Sequence, residues 1–248
     1  VSTAARPAES AGELGVAVLH AVRGQHAFEA CVEQLGTAIR LGVFPHGSTL
    51  PPERELATRM NVSRATLREA MAALREADLV ETRRGRHGGT VVTLTPKLPA
   101  RSSARRTADR RADWLDTLDF RRIVEPGAAA LAASRELTAP QRRTLEKAHA
   151  VVAGATKPAT HRQADSRFHL TIATLTGSAR AVEAVTSVQA GLHEMLGAIP
   201  VLGTNIDHSD RQHARIVRAV LAGDPATARR AMEQHCDDTA ALLRGLLE

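Results

Sequence analysis

Aromatic side chains are nearly absent: four Phe, one Trp and no Tyr in 248 residues. Alanine and leucine must therefore do most of the packing, which favours closely packed helices over a β-sandwich. The same scarcity argues against proteins that stack single-stranded bases on aromatic rings. Cysteine is scarce too. Cys31 and Cys236 each fall inside a helical pattern at no metal-ligand spacing, so neither a disulfide framework nor a cysteine-based metal site is expected. No apolar run approaches the roughly 18 residues of a membrane span, so no membrane partner is expected. Residues 1–24 lack a charged start followed by a compact apolar core. No secretory leader is expected there, and a reducing cytoplasm is the expected location.

What is present is a 43% hydrophobic fraction, enough to fill a core and to exclude wholesale disorder. The net charge is +6, and its position says more than its size. Residues 112–248 carry 16 cationic and 16 anionic side chains, and residues 25–93 carry 9 and 8. The tract 97–111 carries six cations (Lys97, Arg101, Arg105, Arg106, Arg110, Arg111) against Asp109 alone. Such a tract suits a solvated linker, or non-specific contact with nucleic acid through counterion release.

Punctuation along the chain divides it. Residues 1–24, rich in Ala, Gly and Ser, read as a flexible tail, with room for one helical turn near Val16–Val22. Residues 25–94 read as three helices and a hairpin. Val32, Leu35 and Ile39 share a helical face, Glu53–Met60 forms a short helix, and Ser63 caps a third over Arg64–Ala77. Two β-prone runs, Leu79–Arg83 and Thr90–Thr93, flank the glycine-rich turn Gly85–Gly89. Residues 95–112 read as the basic linker. Residues 113–248 read as about six helices, with breaks near Leu137, Gly154, Gly177, Gly197 and Gly223. Thr138-Ala-Pro-Gln141 has the form of a capping box, and Pro126 should bend or interrupt the first of these helices. The predicted fold is mainly α: a winged helix-turn-helix with a small β-hairpin wing, followed by an all-α bundle.

Three helices and a hairpin in this order place the third helix in a major groove, with its N-terminal side chains against base edges. Ser63, Arg64, Ala65 and Arg68 occupy that end, and the two arginines, one turn apart, point the same way. An arginine fork can bond O6 and N7 of guanine together, while Ala65 offers only apolar contact. In the bundle, Asp165 and His169 stand four residues apart on one helical face. His213 lies ten residues before Gly223, and His235 eleven after Asp224. Antiparallel helices joined at that turn put both imidazoles at one height, about 15 Å from it. One carboxylate and three imidazoles suit a divalent transition metal ion: zinc first, with nickel, manganese or iron as alternatives.

The segments Gly47–Ala57, Val62–Ala70 and Arg83–Val92 resemble the GntR family of bacterial regulators. Phe120–Pro126, Asp165-x-x-x-His169 and Gln212–His235 resemble the FCD effector domain of its FadR subfamily. The first resemblance implies DNA contacts from Arg54, Ser63, Arg64, Ala65, Arg68, Arg84 and Gly85. The second implies metal ligation by Asp165, His169, His213 and His235, with Arg121 facing a small carboxylate effector, an organic acid. Together they imply a homodimeric repressor on a palindromic double-stranded DNA operator, its affinity controlled by that effector. The competing expectation is a metal-dependent enzyme fused to a DNA-binding unit.

Overall fold

The computed structural model describes residues 14–15, 17–22, 27–83, 89–95, 104–198 and 203–247, apart from the side chains of 104–109, 158, 197–198, 203–207 and 246–247. The chain divides between Pro96 and Lys97 into two compact units.

The first unit contains α1 (Ala27–Arg40), α2 (Glu53–Met60) and α3 (Arg64–Glu76), then β1 (Val80–Arg83) antiparallel to β2 (Gly89–Val92). Cys31, Leu35, Ala38 and Ile39 recur at helical spacing on α1 and are buried, as are Leu67, Met71 and Leu74 of α3, the helix packed against it. α2 stops where Asn61 turns left-handed at φ 53°, a conformation Asn tolerates better than most residues. Ser63 then starts α3, its Oγ accepting the Thr66 N–H at 3.0 Å. In the hairpin Val80 faces Val92. On the other side of β2, the Leu50 N–H donates to Thr90 O at 2.8 Å and the Val92 N–H to Ser48 O at 2.9 Å.

Part of the expected flexible tail is packed. Leu14, Val18, Leu19 and Val22 are buried, and the Val22 N–H donates to Met60 O at 2.8 Å. Four apolar residues within nine positions leave solvent, and Leu19 O accepts from Arg59 Nε at 3.2 Å, which composition alone does not convey.

Among the described residues the second unit has six helices: α4 (Ala104–Ala133), α5 (Ala139–Ala153), α6 (Pro158–Leu175), α7 (Ala179–Ala198), α8 (Gly203–Ala222) and α9 (Pro225–Leu247). α4 opens inside the tract 95–112 that was expected to be linker. Ala and Arg are strong helix formers whatever their charge, so a basic composition does not stop a helix. α4 also runs through Pro126 without interruption. The proline removes one backbone bond, while Arg121, Glu125, Ala129 and Ala132 on either side are all buried and hold the neighbouring turns. The capping box forms as expected: Thr138 Oγ1 accepts the Gln141 N–H and the Gln141 side chain accepts the Thr138 N–H.

Two apolar clusters fill this unit. One gathers Ala129, Ala132 and Ala133 of α4 with Phe168, Ile216, Ala228 and Met232. The other gathers Trp114 and Leu118 of α4 with Val188, Leu192, Ala240 and Leu243. Buried polar side chains lie among these apolar ones: Arg121 and Glu125 on α4, between its two clusters, and His235 on α9, beside Cys236. A polar layer thus crosses the middle of the bundle.

Candidate metal centre and DNA-reading helix

Ser63, Arg64, Ala65 and Arg68 are all exposed on the first turns of α3, and Arg54 is exposed on α2. Arg54 and Arg64 line one groove of about 610 Å³ together with Ala57, Thr58, Asn61 and Val62. Arg68 differs, because its Nε donates to Glu53 Oε2 at 3.2 Å. Arg84 and Gly85, expected at the wing tip, lie outside the described residues.

In the bundle, α6, α8 and α9 bring His169, His213 and His235 together. All three are buried, and one nitrogen of each lies within 4.8 Å of the others. Asp165, one turn before His169, reaches two of them: its Oδ1 is 3.4 Å from His213 Nε2 and its Oδ2 is 4.0 Å from His169 Nε2. The four residues expected to cluster therefore do so, with no contact between Asp165 and His235 among the described atoms.

Arg121 of α4 enters the same space. Its Nη2 lies 3.0 Å from His235 Nε2 and 3.4 Å from His169 Nε2. A guanidinium only donates, so both Nε2 atoms must be acceptors. The opposite nitrogens then carry the protons. His235 Nδ1 lies 3.0 Å from Gln212 Oε1, and His169 Nδ1 lies 3.0 Å from Glu125 Oε2. At His235 this is the outer-shell arrangement that fixes an imidazole for metal ligation, proton outward on an oxygen and lone pair inward, whereas His169 Nδ1 is close to the Glu125 carboxylate without hydrogen-bond geometry. His213 Nδ1 faces Asp210 Oδ1 at 3.9 Å without a hydrogen bond. The donor set and two of the three tautomers fit a divalent ion.

Electrostatics agree. Burial pushes the His213 imidazole down to about 3, against an opposing pull from Asp165. Burial, then His213 and Arg121, hold His235 well below its ordinary value. Both rings are neutral near pH 7, the form that ligates metal. Burial raises the Glu125 carboxyl, but Arg121 and then His169 outweigh it and hold it well below the usual carboxylate range. Glu125 is also hydrogen-bonded by Gln189 Nε2 at 2.6 Å and by Arg121 Nε at 2.9 Å.

Glu125, Gln189, Gln212 and Asp210 were not singled out from the sequence as members of the site. They sit on three helices with no shared spacing: Glu125 on α4, Gln189 on α7, Asp210 and Gln212 on α8. Only Glu125 left a signal: it stands one turn from Arg121, the spacing of an ion pair. His161, expected at the surface or satisfied in the core, is buried with Nε2 3.5 Å from Asp210 Oδ1, and neither atom has a hydrogen-bond partner.

A winged helix-turn-helix unit followed by a helical bundle with a buried polar layer defines a ligand-responsive, DNA-binding regulator. Comparison with known proteins specifies it. Residues 28–92 match the family described as bacterial regulatory proteins, gntR family, and residues 116–238 match the FCD domain. A candidate HTH-type transcriptional regulator of Mycobacterium gastri, RmpR, is 34% identical over 218 residues, 84% of this chain and 76% of the relative. The Glc operon transcriptional activator of Escherichia coli is 30% identical over 224 residues, 84% of this chain and 85% of the relative. Among solved structures, Escherichia coli McbR/YncC aligns over 90% of this chain and 99% of its own length, with TM-score 0.53 at 16% identity, a likeness of fold. The chain belongs to the GntR family, in the FadR subfamily that carries an FCD domain. It is a transcription regulator and not an enzyme, so the expectation of a fused metalloenzyme is set aside. No helix among the described residues is long and apolar enough to cross a membrane.

Proposed function

We propose that the chain is a homodimeric, metal-dependent repressor that releases a palindromic operator when a small carboxylate enters the FCD domain. Arg54, Ser63, Arg64, Ala65 and Arg68, with Arg84 and Gly85 of the wing, contact the DNA. Asp165, His169, His213 and His235 hold one divalent transition metal ion, zinc first among the candidates. A bound ion supplies a Lewis-acidic position for an effector oxygen. Arg121 supplies the second contact, since a guanidinium pairs with a carboxylate through two parallel N–H···O bonds. The observation that carries this reading is the convergence of nitrogens from His169, His213 and His235, with His235 Nδ1 hydrogen-bonded to Gln212 Oε1 and its Nε2 turned inward. The effector must prefer the non-binding arrangement of the protein, or no affinity would change.

The test is fluorescence anisotropy on an operator selected in vitro, with metal-stripped protein, zinc-loaded protein, and zinc-loaded protein plus a panel of small organic acids. At least one acid should weaken binding, and only in the loaded form. If every acid is without effect, or acts equally on stripped protein, the metal-linked effector reading is wrong. A relative named as an operon activator makes the opposite sign the other informative outcome.

A further inference from the structure

We propose that Arg121 is a placeholder for the metal, and that loading the ion is what frees this arginine to receive an effector. The inference rests on the metal reading above and adds its regulation. In a neutral imidazole whose Nδ1 bears the proton, Nε2 has a single lone pair. Arg121 Nη2 is directed at two such lone pairs, on His235 at 3.0 Å and on His169 at 3.4 Å. These are the same lone pairs that would ligate an ion. One lone pair serves one acceptor bond, so the guanidinium and a metal cannot both hold these rings.

The arginine also has somewhere to go without being uprooted. Its Nε stays on Glu125 Oε2 at 2.9 Å, and Glu125 is itself held by Gln189 Nε2 at 2.6 Å. That carboxylate anchors one edge of the guanidinium, while the Nη2 edge is the part that must move. Arg121 and Glu125 are both fully enclosed, with side chains 3% and 2% exposed, so the freed Nη2 has no solvent to satisfy it. A buried guanidinium edge without an acceptor is costly, and a carboxylate lodged beside the ion relieves that cost. An ion on these rings therefore competes with the guanidinium for them, and its binding leaves the Nη2 edge available to an anion. By linkage, a carboxylate that pairs with the freed edge raises metal affinity by the factor by which metal raises carboxylate affinity.

The experiment uses the full chain, stripped of metal, and follows Co(II) uptake by its visible absorption in stopped flow. In the wild type the observed rate should level off as Co(II) is raised, because the guanidinium must leave first. In Arg121→Lys the charge remains, but one compact ammonium replaces the fork. The plateau should then vanish, and equilibrium affinity should rise by about tenfold, the equivalent of one net hydrogen bond. A plateau at the same rate in R121K, or an affinity equal to or below that of the wild type, overturns the proposal. Should R121K fold poorly, 15N spectra of the Arg121 side chain in the wild type decide the matter. Zn(II) should shift the Nη signals and leave Nε near its place, and unchanged Nη signals refute displacement. Absence of any Co(II) band in the wild type would instead fail the metal reading itself, and this proposal with it.

Discussion

At the scale of single residues, charges that look alike do different work. Arg64 has no ion-pair partner among the described residues, whereas Arg68 is engaged by Glu53. That pair is exposed on both sides, so it is worth no more than about 1 kcal/mol, yet it must be broken or shared before Arg68 meets a base. Arg64→Ala should cost about 1–3 kcal/mol on the selected operator and relax sequence preference. Arg68→Ala should cost less, because breaking the Glu53 pair offsets part of its gain. Anisotropy on selected and scrambled duplexes separates the two; equal losses on both duplexes would make Arg64 a phosphate contact only.

The buried titrating groups give a second prediction at this scale. His213 is depressed by burial to about 3, so between its unfolded value near 6.5 and that point the unfolded chain binds a proton the folded chain refuses. Stability is intact above pH 6.5 and declines as the pH falls. From about pH 7.5 to about pH 5 the loss from His213 alone is about 2 kcal/mol. His235 is shifted in the same direction and adds to it. Glu125, also depressed, acts in the same sense below the ordinary carboxylate range. Urea unfolding of chelated protein at the two pH values measures this. A midpoint that rises on acidification would mean the imidazoles are charged in the folded state.

At the scale of elements, the ends of helices were more legible than their neighbours. The α8–α9 turn can be read from Gly223 and Asp224: the glycine sits at φ 69°, and Asp224 Oδ1 accepts the Thr227 N–H at 2.9 Å. That turn was enough to place His213 and His235 at one height. The Thr138 cap is equally local. Thr138→Ala should lower stability by about 1 kcal/mol while leaving metal and operator affinities unchanged, as denaturant titration beside the two binding assays would report. Illegible were features set by partners far along the chain. Gln212 supports His235 across 23 positions and Gln189 supports Glu125 across 64, distances at which no periodicity speaks. The start of α4 at Ala104 was missed for a different reason: charge density was weighed above helix propensity in 95–112. Packing of Leu14, Val18, Leu19 and Val22 is illegible for the same reason as the Gln212 and Gln189 contacts: its hydrogen-bond partners, Met60 O for the Val22 N–H and Arg59 Nε for Leu19 O, lie about 40 positions away.

At the scale of the molecule, the metal would join elements that the chain itself connects only through turns. His169 lies on α6, His213 on α8 and His235 on α9, while α4 shares the same layer through Arg121 and Glu125. An ion held by three helices binds only the folded arrangement, so it must stabilise that arrangement by mass action. The effect is about 2.7 kcal/mol at a free concentration a hundred times the dissociation constant. Trp114 is the chain's single tryptophan, and it is buried in the apolar cluster beyond the polar layer, within the same unit. Its fluorescence therefore follows unfolding of this unit without a signal from the DNA-reading one. Zinc should move the Trp114 transition upward, chelation should return it, and His213→Ala should abolish the shift. His213 Nδ1 has no hydrogen-bond partner to lose and its Nε2 has only long contacts, at 3.4 Å, with Ser209 Oγ and Asp165 Oδ1, so the variant's own destabilisation comes mainly from the cavity and leaves a transition to follow. A Trp114 transition indifferent to zinc in the wild type would mean that the three imidazoles converge for packing and not for an ion.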